Sequence, residues 1–185
     1  MDNGEYNYRR FLNGDDEGLT LIIKDFKDGL ILYLNSYVNN IYIAEELMEE
    51  TFFKIAVKKP KFLGRSSFKT WLYTVGRNVA IDYLRHNSKF SISAIDDMEN
   101  YIKDETDLEN MYINNERKIA VHKALSSLKP EYRDVLWLVY FEEFSNKEVA
   151  LLMNKSKRQI ENLVFRAKQS LKSTLDKEGL VYEEI

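Results

Sequence analysis

The chain has 185 residues, 44% of them hydrophobic, no cysteine and a formal net charge of −3. That apolar content supports a packed core without staples, and the missing cysteines exclude disulfides and thiolate metal sites. No apolar run approaches the roughly 18 residues that span a bilayer, and the opening MDNGEYNYRR is too polar for a signal peptide, so a soluble cytoplasmic protein with no membrane insertion is expected.

Leu19, Ile22, Ile23, Phe26, Leu30, Tyr33, Leu34 and Tyr37 recur at spacings of three and four, the mark of an amphipathic helix, with a break expected near Gly29. Ala44, Leu47, Met48, Thr51, Phe52 and Ile55 continue the pattern on a second helix. KKPKFLGRSS interrupts it with Pro60 and Gly64, and Ser66 or Ser67 is placed to cap the helix that follows. On that helix Phe68, Leu72, Val75, Val79 and Tyr83 form one apolar stripe.

From residue 90 to residue 115 the apolar period fades and acids dominate, which predicts a linker. Its 26 residues reach ~85 Å when extended, enough for domains that work apart. Helix resumes from about Glu116, and Pro130 suits the first turn of the next one, which carries Val135, Leu136, Leu138, Val139 and Tyr140 inward. Ser145 with Glu148, and Ser156 with Gln159, have capping-box spacing, and Phe144 with Val149 has that of a hydrophobic staple. Two capped helices about three residues apart are the sequence form of a helix-turn-helix. The last helix buries Ile160, Leu163, Val164, Ala167 and Leu171 and turns Lys157, Arg158, Glu161, Asn162, Phe165, Arg166 and Gln169 outward. With no period-2 run of useful length, the expected fold is all-α: residues 1–89 and 116–185 form two small helical domains, joined by the acidic linker 90–115.

The distribution of charge says more than its total. Residues 54–89 hold nine Lys/Arg against one Asp, a local net of +8, and residues 157–172 hold five against one Glu, a net of +4. Residues 41–53 carry −4 and residues 90–115 carry −6. Fields reach only about 8–10 Å in physiological salt, so two basic faces make a polyanion a plausible partner despite the acidic total.

In the C-terminal half the start of the second helix of the helix-turn-helix would enter a major groove. There Lys157 and Arg158 suit guanine or phosphate, Asn162 suits adenine, and Glu161 suits cytosine N4. The competing reading is a solvated polar face. In the N-terminal half, Lys69, Tyr73, Arg77 and Asn78 offer the mixture of cation and ring that unpaired bases need. Trp71 lies beside the apolar stripe and reads as core, whereas Tyr73 falls off it and reads as a face for a base. Glu45, Glu46, Glu49 and Glu50 form an acidic cluster without a histidine at metal-ligand spacing, so a solvated face or a dock for a basic protein is expected rather than a metal site. No glycine loop for phosphate, cysteine nucleophile or serine constellation supports catalysis, and no cofactor is expected.

Two stretches carry a resemblance. AEELMEETFFKIAVKKPKFLGRSSFKTWLYTVGRNVAIDYLRH resembles the second conserved region of extracytoplasmic-function sigma factors, and ALSSLKPEYRDVLWLVYFEEFSNKEVALLMNKSKRQIENLVFRAKQSL resembles their fourth, in the right order. The resemblance implies an alternative sigma factor, a specificity subunit rather than an enzyme, that binds core RNA polymerase and opens promoter DNA. It implies that residues 1–89 dock on the polymerase clamp helices through Glu45, Glu46, Glu49 and Glu50. Lys61, Arg65 and Ser66, with Lys69, Tyr73, Arg77 and Asn78, would then hold the separated −10 strand. Residues 116–185 would read the −35 element through Lys157, Arg158, Glu161, Asn162, Phe165 and Arg166 and contact the polymerase flap, and many relatives are held by an anti-sigma factor. The chain departs from the family at Ile43, usually Asp, at Glu49, often Gln, and at Glu161 and Leu163, commonly basic, which points to an altered −35 preference. Two other classes fit the residues alone: a two-domain helix-turn-helix regulator that never joins polymerase, and a helical adaptor between proteins.

Overall fold

The computed structural model describes residues 2–90 and 123–177, and among these the regular structure is helical, with no strand. The helices are α1 (Asn3–Leu12), α2 (Glu17–Val38), α3 (Ile41–Lys58), α4 (Phe68–Phe90), α5 (Pro130–Tyr140), α6 (Asn146–Met153) and α7 (Lys157–Lys177), and residues 123–126 are also helical, while the start of the helix expected from Glu116 lies outside the described residues. The chain separates into two compact units. Most of the acidic segment 90–115 lies outside the described residues.

In the first unit α1, α3 and α4 all pack against α2. α2 runs unbroken through Gly29, contrary to the expected break, because Ile22, Leu30, Tyr33 and Leu34 are all buried on one continuous face and their packing outweighs the ~1 kcal/mol helix penalty of one glycine. It ends where Asn39 adopts a left-handed conformation, φ 49°, and the next residue, Asn40, starts α3 by accepting hydrogen bonds from the Tyr42 and Ile43 amides at 3.0 and 3.2 Å. Two adjacent asparagines thus stop one helix and cap the next.

α1 buries Gly4, Asn7, Tyr8 and Phe11 along one face. It forms because Asp2 caps it, accepting from the Glu5 amide at 2.6 Å, and because Tyr8 and Phe11 bury against the rest of the unit. α4 begins at Ser67, whose hydroxyl accepts from the Thr70 amide at 3.2 Å. Its buried face contains Phe68, Leu72 and Val79 as the spacing predicts, but also Tyr73, Gly76 and Ala80, while Val75 and Tyr83 are only half-buried. The face is rotated because α4 approaches α2 at Gly76, where an added Cβ would lie 2.9 Å from Leu30 Cδ1. A glycine contributes no apolar signal, so periodicity alone sets the wrong phase.

The second unit is the expected helix-turn-helix preceded by α5. Pro130 sits in the first turn of α5. Val135, Leu136 and Leu138 are buried, but Tyr140, expected inward, is 47% exposed, and Trp137 takes the inner place, stacked on Phe141 at 4.5 Å. Both capping boxes form. Glu148 accepts from the Ser145 amide at 3.0 Å while its own amide donates to Ser145 Oγ at 3.3 Å, and Gln159 and Ser156 repeat the exchange at 2.8 and 3.2 Å. Phe144 and Val149 are both buried, as a staple requires. α6 closes with Asn154 left-handed at φ 54° and the Lys155 amide donating back to Ala150 at 2.9 Å, a Schellman turn that aims α7 away from α6. An ion pair between Lys155 and Glu131 at 2.8 Å ties this turn to the start of α5.

Candidate nucleic-acid interface

The residues expected to carry function fall into three places. On α7, Ile160, Leu163, Ala167 and Leu175 face the core, and Lys157, Arg158, Glu161, Asn162, Phe165, Arg166 and Gln169 are all exposed. At 3.6 residues per turn, Arg158, Glu161, Asn162, Phe165 and Gln169 follow one outward ridge. Lys157 pairs with Glu161 across one turn at 3.6 Å, so this carboxylate already has a cationic neighbour. Phe165, 62% exposed in the middle of the ridge, is a large apolar side chain held out to solvent. A helix with this ridge, begun by a capping box and fixed by the preceding turn, has the form that enters a major groove.

In the first unit the candidates surround the start of α4. Lys61 and Arg65 are exposed on the loop between α3 and α4, Ser66 is half-buried and donates to the Ser67 carbonyl at 3.2 Å, and Gly64 takes φ +67° at the loop tip with open space around it. Lys69, Tyr73 and Arg77 follow one another at intervals of four along α4, but Asn78 lies about 100° further round, nearer the face of Trp71. The set therefore divides between two sides of the helix.

Tyr73 is a correction. It is 1% exposed, its ring stacked on Tyr33 at 5.2 Å and covered by the Lys69 ammonium at 5.4 Å. A base has no access to that ring; rotation of the buried face around Gly76 carried it into the core. Trp71, read as core, is half-buried in a cluster with Tyr8, Phe62 and Phe68 at ring distances of 5.1, 5.6 and 5.3 Å. The apolar group that the loop does hold out is Leu63, 67% exposed between Lys61 and Arg65. A lone leucine in a loop has no periodic signature in the sequence.

On α3 the four glutamates Glu45, Glu46, Glu49 and Glu50 are all exposed, and Glu50 pairs with Lys54 at 2.8 Å. Tyr42, Phe53 and Val57 are exposed at 62%, 65% and 62% on the same side of this helix. The acids are plain in the sequence; these apolar neighbours are marked as one outward line only by their spacing of eleven and four residues. Among the described residues no group of three His, Asp or Glu gathers in the manner of a metal site, and no helix is long and apolar enough to cross a membrane.

Comparison with known proteins gives these surfaces a context. Residues 22–90 match the family model of sigma-70 region 2, and residues 118–171 match that of sigma-70 region 4. The chain is 28% identical over 156 residues to the ECF RNA polymerase sigma factor SigM of Bacillus subtilis, covering 82% of this chain and 91% of the relative. It is 26% identical over 157 residues to the RNA polymerase sigma factor YlaC of the same organism, covering 84% and 91%. Among solved structures, CnrH in complex with the cytosolic domain of CnrY matches with a TM-score of 0.69 at 16% identity, covering 95% of this chain and 99% of that one. The sigma factor RpoE in complex with the anti-sigma factor NepR from Bartonella quintana matches with a TM-score of 0.63 at 23% identity, covering 83% and 98%. These two likenesses establish the fold.

Proposed function

The chain belongs to the sigma-70 family, and from that premise we propose that it acts as an alternative sigma factor of the extracytoplasmic-function type. It joins core RNA polymerase in the bacterial cytoplasm and directs initiation to a set of promoters. It is a specificity subunit, and the polymerase performs the chemistry. The observation that carries this reading is the ordered pair of region matches, the second folded as a helix-turn-helix whose outward ridge is exposed along its length.

In this reading residues 1–89 are the polymerase-docking and strand-opening domain and residues 116–185 the −35-reading domain, with the flap contact on the latter. Segment 90–115 passes between the two promoter contacts. The acidic face of α3, Glu45, Glu46, Glu49 and Glu50, meets the basic surface of the clamp helices, and its exposed apolar line supplies contact area that charge alone does not. Lys61, Arg65, Ser66, Lys69, Arg77 and Asn78 hold the displaced −10 strand, with exposed Leu63 offering the apolar contact that buried Tyr73 cannot. Extruding a base costs a few kcal/mol, which capture by the loop and binding to polymerase offset together. Lys157, Arg158, Asn162, Phe165 and Arg166 contact the −35 duplex, and Glu161, paired with Lys157, shapes its base preference. Association with an anti-sigma protein belongs to the same reading, supported by the complex in which a solved structural neighbour was found.

Run-off transcription with purified core enzyme tests the proposal. The full chain should stimulate initiation from specific sites on a fragmented genomic template, and charge reversal at Glu46 and Glu50 should reduce its co-purification with core. A chain that binds DNA fragments but never core polymerase is a regulator of another kind, and one that binds neither is an adaptor.

A further inference from the structure

α1 bears none of the residues assigned above to DNA or polymerase, yet its side chains converge on the loop between α3 and α4 from end to end. At the start of the loop, the Tyr8 hydroxyl donates to the Pro60 carbonyl at 2.6 Å, and the Lys59 ammonium lies 4.7 Å from the Phe11 ring centroid. In its middle, Phe62 turns inward onto Phe68 and Trp71, at 5.7 and 5.6 Å, and Tyr8 touches the same two rings at 5.6 and 5.1 Å. At its end, one carboxylate serves two helices: Asp2 Oδ1 accepts from the Glu5 amide at 2.6 Å and Oδ2 from the Phe68 amide at 2.8 Å. α1 can come this close because Gly4 lies against Phe68, where any Cβ would overlap the ring.

The hydrogen bonds of Tyr8 to Pro60 and of Phe68 to Asp2 are part-buried, whereas the side chains of Lys61, Leu63 and Arg65 are exposed. Tyr8 is 1% exposed, and burial pushes its phenol up to about 12, so the hydroxyl remains a hydrogen-bond donor at any working pH. A loop tied at its start, middle and end has lost its conformational freedom during folding, and binding does not have to remove it again.

We propose that α1 is the positioning element of the strand-capturing loop, with Tyr8 and Asp2 as the residues that set the loop's shape and thereby its selectivity for the extruded base. This rests on the reading that Lys61–Ser67 receives a separated strand. Neither residue touches DNA; each acts through Pro60 or Phe68. Tyr8→Phe keeps the ring contacts and removes the donor to Pro60, while Asp2→Asn keeps one acceptor of the two.

The experiment uses holoenzyme reconstituted with the full chain. The probe is a fluorescent single-stranded oligonucleotide carrying the non-template −10 sequence of a promoter that this holoenzyme transcribes, with versions substituted at each base. A Lys61→Ala, Arg65→Ala double variant serves as the control for the loop itself. Expected are a loss of binding in that control, and for Tyr8→Phe and Asp2→Asn a three- to tenfold loss of discrimination between the preferred and substituted strands, the scale of one hydrogen bond. Affinity for core enzyme and for −35 duplex should not change. If the loop control binds the strand as the parent does, the premise fails and the proposal with it. If the control loses binding while Tyr8→Phe and Asp2→Asn discriminate as the parent does, the loop reading survives and the role of α1 is overturned. Parallel loss of core binding and strand binding would also overturn it, since that is the pattern of a merely weakened fold.

Discussion

Replacing Tyr73 with Ala separates a core residue from a DNA contact. The ring is 1% exposed and packs on Tyr33 at 5.2 Å, so truncation removes a fully buried aromatic and leaves a cavity between α2 and α4. Such truncations cost about 3–5 kcal/mol. For a unit of this size each kcal/mol lowers the melting temperature by ~4–8 °C, so a fall of more than about 12 °C is expected, or a shift of roughly 2 M in the urea midpoint. Tyr73→Phe keeps the stack and the volume and should lose at most about 1.5 kcal/mol. Urea denaturation followed by tryptophan fluorescence reads the first unit through Trp71 and the second through Trp137, so the loss should appear in the transition that reports Trp71. Core binding should fall along with promoter opening in Tyr73→Ala. Unchanged denaturation with a selective failure to open promoters would refute the packing argument and restore the ring as a base contact.

Three further outcomes are expected. Ser156→Ala removes the hydroxyl half of the second capping box and should destabilise the C-terminal unit by about 1 kcal/mol in urea denaturation, with no effect on the N-terminal transition. Arg158→Ala should weaken binding to −35 duplex by ~1–3 kcal/mol and relax preference at one base pair, measured by fluorescence anisotropy on a panel of single-base variants; a uniform loss across the panel would make it a phosphate contact. Tyr8 should give the N-terminal unit an alkaline limit. Its folded pKa of about 12 exceeds the unfolded value of 10.0, so its stabilisation is complete below pH 10 and is lost as pH rises toward 12. The limiting slope is about 1.4 kcal/mol per pH unit. Denaturation of the parent and of Tyr8→Phe at pH 8 to 11.5 isolates this residue from the other tyrosines, and parallel curves would refute it.

The parts of the candidate site that were legible in advance are those built from neighbours in the chain. The capping boxes at Ser145/Glu148 and Ser156/Gln159 join residues three apart, and the outward ridge of α7 follows from helical spacing once its start is known. The acidic run on α3 was equally plain. The phase of α4 was not, because the element that sets it, the approach of Gly76 to Leu30, carries no apolar signature. Tyr73 therefore appeared to be surface, and Tyr140 appeared to be core where Trp137 is.

Sequence alone determined the helical class, the two-part plan, the helix-turn-helix and the resemblance that led to the family, since each rests on local spacing or on an ordered pair of motifs. Tertiary structure alone decided which rings are buried and what packs against the loop between α3 and α4. Tyr8 reaches Pro60 across 52 positions and Asp2 reaches Phe68 across 66. Contacts at that separation depend on how α1 lies against the rest of its unit, and no periodicity along a single helix encodes the position of another.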